Sequence, residues 1–334
     1  MSFNAILLEK NETSGFTASI KVLSKETLLQ QQGDTLIKVQ YSSINYKDAL
    51  ALTNKGPVVR SWPMVPGIDG VGVVVKCDSG RYKTGDQVIL NGWGCGENHW
   101  GCLGQYAYLQ SGWLIPLPDK FTPQQAMAMG TAGYTAALCV QRIIEHGVKP
   151  EQGSVLVTGA SGGVGSVAIA LLTKLGYQVT AATSKTGEVN YLKQLGAVDF
   201  IDSQAFKGAG KPLQKECWSA AIDVLGSHAL ANVCAQINYG GIVAACGLAQ
   251  GLDFPTTVAP FILRGVTLAG VDSVMASYDK RLIAWNLLAK YIDSGLLNQI
   301  AKTIPLSECM EVANQMIAGR IKGRFIVDVN VSSE

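Results

Sequence analysis

Residues 155–165 read Val-Leu-Val-Thr-Gly-Ala-Ser-Gly-Gly-Val-Gly, an apolar run that breaks into closely spaced glycines and reopens as an apolar helical pattern. That order predicts a buried strand, a tight turn and a helix. Glycine at such a turn lets the backbone approach a ligand. The helix start behind it offers unpaired amide groups and the positive end of its dipole, an arrangement that receives a pyrophosphate. Gly162, Gly163 and Val164 are the expected cradle. The spacing Gly159-x-x-Gly162-x-x-Gly165 departs from Gly-x-Gly-x-x-Gly, so on its own the turn also suits plain strand–helix packing. Context favours the nucleotide. Strands at 154–158, 178–183, 221–224 and 242–246 and helices at 164–175 and 188–195 repeat a βαβ pattern, which predicts a doubly wound parallel sheet.

The second of these strands runs into Thr183, Ser184 and Lys185. An NAD enzyme usually carries an acid here for the ribose hydroxyls, and a carboxylate would repel a 2′-phosphate. Two hydroxyls and an ammonium group favour the phosphate, so the expected cofactor is NADPH. Glu188, further along, keeps NADH open, and a solvated loop with an incidental lysine is the plain alternative.

Outward from this half the pattern changes. Up to about residue 120 the chain shows short β-type runs, at 35–41, 70–76 and 87–90, separated by Gly, Pro, Asn and Asp. They predict an irregular β-barrel. A long Ala- and Met-rich helix at 124–145 follows. After Pro255 the chain turns β-like at 266–271, then gives helices at 280–292 and 308–317 and a strand at 324–329. We expect domains at 1–124 and 125–263, with a segment 264–334 that returns to the first. The pattern from residue 280 also fits a small separate cap.

The 334 residues are enough for two cores. With 48% hydrophobic and 16% charged residues and a formal net charge of +2, the chain is not of disordered composition. It lacks the clustered basic residues of a nucleic-acid binder, and no run reaches membrane-spanning length. Residues 1–9 have no basic start and no sustained apolar segment, which argues against a secretory signal. The eight cysteines, at 77, 95, 102, 139, 217, 234, 246 and 309, read as buried free thiols in a reducing compartment, the cytoplasm.

Asn45-Tyr-Lys-Asp48, Pro66-Gly-Ile-Asp-Gly-Val-Gly72, Gly96-Glu-Asn-His-Trp-Gly101 and Gly130-Thr-Ala-Gly-Tyr-Thr-Ala136 precede the glycine turn in that order. In this order the chain resembles, from end to end, the medium-chain dehydrogenases/reductases. Residues 96–101, Asn238-Tyr-Gly-Gly241, Cys246-Gly-Leu248 and residues 256–264 are similar to the acryloyl-CoA reductase branch in particular. The resemblance implies an α/β protein with a GroES-like irregular β-barrel catalytic domain and a Rossmann doubly wound domain. It implies NADPH-dependent reduction of the 2,3 double bond of acryloyl-CoA to propionyl-CoA, and we expect a homodimer. It also implies cofactor contacts at Tyr46, Ser161 to Val164, Thr183 to Lys185, Ser203, Leu248, Ile262 and Ser273. At Ser203 relatives can carry an arginine, so Lys185 takes more of the phosphate recognition here.

Zinc alcohol dehydrogenases of this superfamily have Cys and His where Asn45 and Ile68 stand, so the resemblance implies no catalytic zinc. Cys95, His99 and Cys102 have metal-binding side chains but no fourth partner, and no metal is expected there. Reducing a double bond conjugated to a thioester needs a hydride at the β carbon, a polarised carbonyl and a proton at the α carbon, and none of these requires zinc. Tyr46 is the candidate for contact with the nicotinamide and the reacting end of the substrate, with Asn45 and Asp48 orienting the site. Asn45 and Asp48 also suit capping of the helix that follows. Lys55 and Arg60, on the next loop, are candidates for the anionic end of CoA, and equally for solvated loop charges. A quinone reductase and a non-catalytic NADPH-binding redox sensor are the alternative functions.

Overall fold

A computed structural model describes residues 2–11 and 15–331. β1 (Ser2–Asn11) buries Ala5 to Leu8 and pairs antiparallel with β2 (Gly15–Ser24). β3 (Thr35–Ile44) buries Ile37 and Val39 on either side of exposed Lys38 and is buried again from Ser42 to Ile44. β4 (Asp69–Cys77), β5 (Gln87–Asn91), β6 (Tyr106–Leu109) and β7 (Leu114–Pro116) follow. The helix Pro123–His146 is interrupted at Gly130, whose φ of 49° and ψ of −156° suit glycine alone. A Cβ there would stand 2.5 Å from Asp69 Oδ2 and 2.8 Å from Ser43 Oγ, so the glycine also makes room for a polar cluster.

The next strands are β8 (Val155–Val157), β9 (Val179–Thr183), β10 (Asp199–Asp202), β11 (Trp218–Asp223), β12 (Ile237–Ala245) and β13 (Thr267–Gly270). They are all parallel and lie in the order β10-β9-β8-β11-β12-β13. That is the doubly wound order, in which the chain reverses direction between the first and fourth strands. The helix Gly163–Lys174 buries Val167 to Leu172 almost all round, as a helix covered on both sides must. Leu156, Ala221 and Val243 of the central strands share a core with Val233 and Ile237.

After β13 come the helices Tyr278–Tyr291 and Ser294–Ile300, β14 (Ala301–Pro305), the helix Cys309–Ile317 and β15 (Arg324–Asp328). β15 pairs antiparallel with β3 and parallel with β14, giving a sheet β14-β15-β3-β4-β5-β7 with β6 also on β3. The chain divides into two units. One holds residues 1–131, 274–282 and 297–334, and the other residues 132–273 and 283–296. The expected α/β class, an irregular β-domain with a doubly wound parallel sheet, is the one found. No helix among the described residues is long and apolar enough to cross a membrane.

Candidate active site

In the second unit the helix Gly163–Lys174 starts from Gly162, in extended conformation, and no side chain caps it. Its first amide groups are therefore left for a ligand. A Cβ on Gly165 would lie 2.5 Å from Gly159 O and 2.7 Å from Ala160 Cα, so glycine is what lets the turn close. Ser161 is buried beside it. Thr158 Oγ1 donates to Asp223 Oδ1 at 2.7 Å and accepts from the Val224 N–H at 3.1 Å. Asp223 Oδ2 accepts from the N–H groups of Leu225 and Gly226, at 3.2 and 2.8 Å. Burial pushes the Asp223 carboxyl up, and these bonds oppose the shift. Thr158 and Asp223 thus lock the loops after β8 and β11 together at the point where the winding reverses. Sequence reading did not single out Asp223; its signal was an acid ending an apolar strand.

Thr183 ends β9, and Asp202 of β10 lies opposite it, which sets Ser203 beside the Thr183-Ser184-Lys185 turn. The Lys185 N–H donates to Thr183 Oγ1 at 3.1 Å, and Lys185 Nζ lies 3.6 Å from Glu188 Oε1. Ser184 is exposed. Leu248 and Ser273 follow the carboxyl ends of β12 and β13. Ile262 stands apart, 72% exposed on the helix Ala259–Arg264 that leads into β13. With that exception the cofactor candidates of this unit gather at the carboxyl ends of the parallel strands, where open α/β sheets receive ligands. An uncapped helix start and a hydroxyl-and-ammonium turn fit a dinucleotide with an additional phosphate.

The remaining candidates lie in the first unit. Asn45 opens the helix Tyr46–Leu52, and Asp48 Oδ2 accepts from the Asn45 N–H at 2.9 Å. Asp48 Oδ1 accepts from the N–H groups of Gly67 and Ile68, at 3.1 and 3.0 Å. Burial pushes the Asp48 carboxyl up to about 6 against the pull of these N–H groups, and the negative charge of Asp69 adds to the rise. Asn45 Nδ2 donates to Asp69 Oδ2 at 2.7 Å, while Asn45 Oδ1 accepts from Arg324 Nη1 at 2.8 Å. Asp69 also accepts from Ser43 Oγ (2.6 Å), Asn91 Nδ2 (2.8 Å) and the Thr131 N–H (2.8 Å), and it lies 3.6 Å from Arg324 Nη2. Asn45 and Asp48 are therefore spent on holding the turn in place. Tyr46, the first helical residue, is 49% exposed.

Beside Tyr46, Lys47 Nζ pairs with Glu97 at 2.7 Å, and the Arg60 N–H donates to Glu97 O at 2.8 Å. The side chains of Lys55 and Arg60 are exposed. Asp69 and Arg324 escaped sequence reading. Their signal was a charged residue at the head of a mainly apolar strand, where burial requires a partner of opposite charge.

Residues 31–119 match the alcohol dehydrogenase GroES-like domain, and residues 163–290 match the zinc-binding dehydrogenase domain. AcuI of Escherichia coli, by name a probable acrylyl-CoA reductase, is 47% identical over 98% of this chain and 99% of its own. The chain belongs to the medium-chain dehydrogenase/reductase superfamily, in its acryloyl-CoA reductase branch. The crystal structure of E. coli YhdH with bound NADPH is 47% identical and matches with a TM-score of 0.94, covering 98% of this chain and 100% of that one. YhfP of Bacillus subtilis, whose name is that of a quinone oxidoreductase, is 42% identical over 97% of this chain and 98% of its own. Its structure with NAD bound covers 98% of this chain and 100% of that one, at a TM-score of 0.93.

Within the medium-chain dehydrogenase/reductase frame the metal positions can be read side chain by side chain. Asn45 Oδ1 is taken by Arg324, and Ile68 is apolar and buried. His99 Nδ1 lies 4.0 Å from Cys95 Sγ, yet both ring nitrogens sit on backbone carbonyls, Trp100 O at 2.8 Å and Gln32 O at 2.6 Å. Burial pushes the thiols of Cys95 and Cys102 up, away from the thiolate form that zinc requires. Among the described residues no group of three or more His, Cys, Asp or Glu is placed to hold a metal.

Proposed function

We propose that this chain reduces the 2,3 double bond of acryloyl-CoA to propionyl-CoA with NADPH and without a catalytic zinc. The reading is carried by the full-length likeness to an acrylyl-CoA reductase in a chain whose residues 45 and 68 are Asn and Ile. NADPH, when bound, supplies the hydride. The amides of Gly162, Gly163 and Val164, with Ser161, hold the pyrophosphate, and Thr183, Ser184, Lys185 and Ser203 hold the 2′-phosphate. Leu248, Ile262 and Ser273 complete the cofactor contacts.

The double bond accepts the hydride at its β carbon. The displaced electron pair moves toward the thioester oxygen, and a proton added at the α carbon completes propionyl-CoA. Tyr46 contacts the nicotinamide and gives a hydrogen bond or the proton to the reacting end, with its hydroxyl reaching out of a turn that Asn45 and Asp48 fix. Asn45 and Asp48 act as positioning residues through that turn. Lys55 and Arg60 meet the CoA phosphates.

The enzyme works as a homodimer in the cytoplasm. Among the described residues the sheet of the second unit ends at β13, and Val258 and Leu263 are exposed at the helix leading into it, an apolar margin that a second copy would cover. All eight cysteines are free, as a reducing compartment keeps them, although Cys217 is exposed and Cys77 and Cys246 only half-buried, against the expected burial. A quinone reductase is the second reading, favoured by the likeness to YhfP. Incubation with NADPH and acryloyl-CoA, followed by mass spectrometry, tests the proposal. Propionyl-CoA formed in step with NADPH consumption supports it, and unchanged acryloyl-CoA overturns it.

A further inference from the structure

The turn that receives the 2′-phosphate already contains a counter-ion for its lysine. Glu188 occupies the N-cap position of the helix Val189–Gln194, yet its side chain caps none of that helix's N–H groups. Short side chains such as Asp ordinarily accept them, and the longer glutamate turns elsewhere. Instead Glu188 Oε1 lies 3.6 Å from Lys185 Nζ, and Oε2 is buried without a hydrogen-bond partner among the described residues. The backbone enforces the proximity, since the Glu188 N–H donates to Lys185 O at 3.0 Å. The glutamate side chain is only 15% exposed against 35% for the lysine, so the acid is the more poorly hydrated and more weakly screened partner. Its charge is felt nearby: together with burial it raises the Tyr191 hydroxyl, which is hydrogen-bonded to Ser166.

We infer that Glu188 determines how strongly this chain prefers NADPH to NADH, by competing with the 2′-phosphate for Lys185. The inference rests on the NADPH reading above. A 2′-phosphate entering this turn must share the ammonium group with a carboxylate that also repels it. NADH brings no such phosphate and leaves the pair undisturbed. The Lys185–Glu188 pair thus moderates a preference that Thr183, Ser184 and Lys185 alone would make steeper, and it leaves both dinucleotides able to bind.

Equilibrium titration of the unmodified protein, E188Q, K185Q and the double variant with NADPH and with NADH decides the matter without any turnover. E188Q is expected to tighten NADPH by roughly 3- to 10-fold and to leave NADH within about 2-fold, with the gain shrinking at high salt. On the K185Q background, E188Q should bring no more than a small part of that gain, because the competition runs through Lys185. Circular dichroism checks the fold of each variant, and E188A gives the same readout should the glutamine variant not fold. An NADPH-to-NADH affinity ratio unchanged by removal of the Glu188 charge overturns the inference while leaving the cofactor assignment standing. Failure of the unmodified protein to bind NADPH at all overturns the assignment, and the inference with it.

Discussion

Asp48 sits where a carboxylate meets backbone N–H donors but no solvent, and its titration therefore feeds directly into stability. The folded protein raises its carboxyl from 3.8 to about 6. Between about pH 4 and pH 6 the folded chain therefore keeps a proton that the unfolded chain has lost, and stability falls as pH rises through that window, by on the order of 3 kcal/mol. D48N keeps an oxygen for the Gly67 and Ile68 N–H groups and carries no charge, so it should flatten that part of the curve. Urea denaturation of both proteins from pH 4.5 to pH 7 checks this, and parallel curves would remove Asp48 as the cause. Tyr46 carries a separate expectation: Y46F should lower kcat about 10²-fold or more with NADPH binding intact, and an unchanged kcat would pass the role to water or a neighbour. Asn45 and Asp48 were legible as helix-capping residues because of their types and spacing. Arg324 was not, because its partners Asn45, Ser43 and Asp69 lie hundreds of positions away in the chain and only the pairing of β15 with β3 brings them together.

Among the elements, the glycine turn was readable because strand, turn and helix each left a local mark, and the helix begins at Gly163, one residue before the expected start at 164. Several elements that went unread, beyond the strands β1, β2, β6, β7 and β14, are of another kind. β10, the helix Ser227–Gln236 and the helix Ala259–Arg264 are short or lack a clean apolar period, and they owe their form to neighbours in the sheet and its covering layer. The break at Gly130 was also hidden inside an otherwise regular helical pattern. Gly165 offers the test of the turn. In G165A the new methyl group would press on Gly159 O and Ala160, moving the cradle rather than the core. NADPH affinity is expected to fall at least about 10-fold while the protein remains folded, and unchanged affinity in titration would detach the cradle from cofactor binding.

At the scale of the whole molecule, the family motifs are spread from residue 45 to residue 264, which is why fold and chemistry were both accessible from the chain alone. What local sequence left open was the choice among substrates, since two relatives of similar likeness carry the names of an acyl-CoA reductase and a quinone oxidoreductase. Turnover should survive exhaustive chelation, with no stoichiometric zinc by elemental analysis, because the side chains at 45 and 68 cannot cage the metal. A tightly held zinc whose removal abolishes activity would contradict this. The central claim is decided by measuring kcat/KM with NADPH for acryloyl-CoA and for a simple quinone side by side. Binding energy from the remote part of a thioester substrate can position its reacting double bond, so acryloyl-CoA should be favoured by about 10²-fold or more. Efficient quinone reduction with no turnover of acryloyl-CoA would contradict acryloyl-CoA as the substrate.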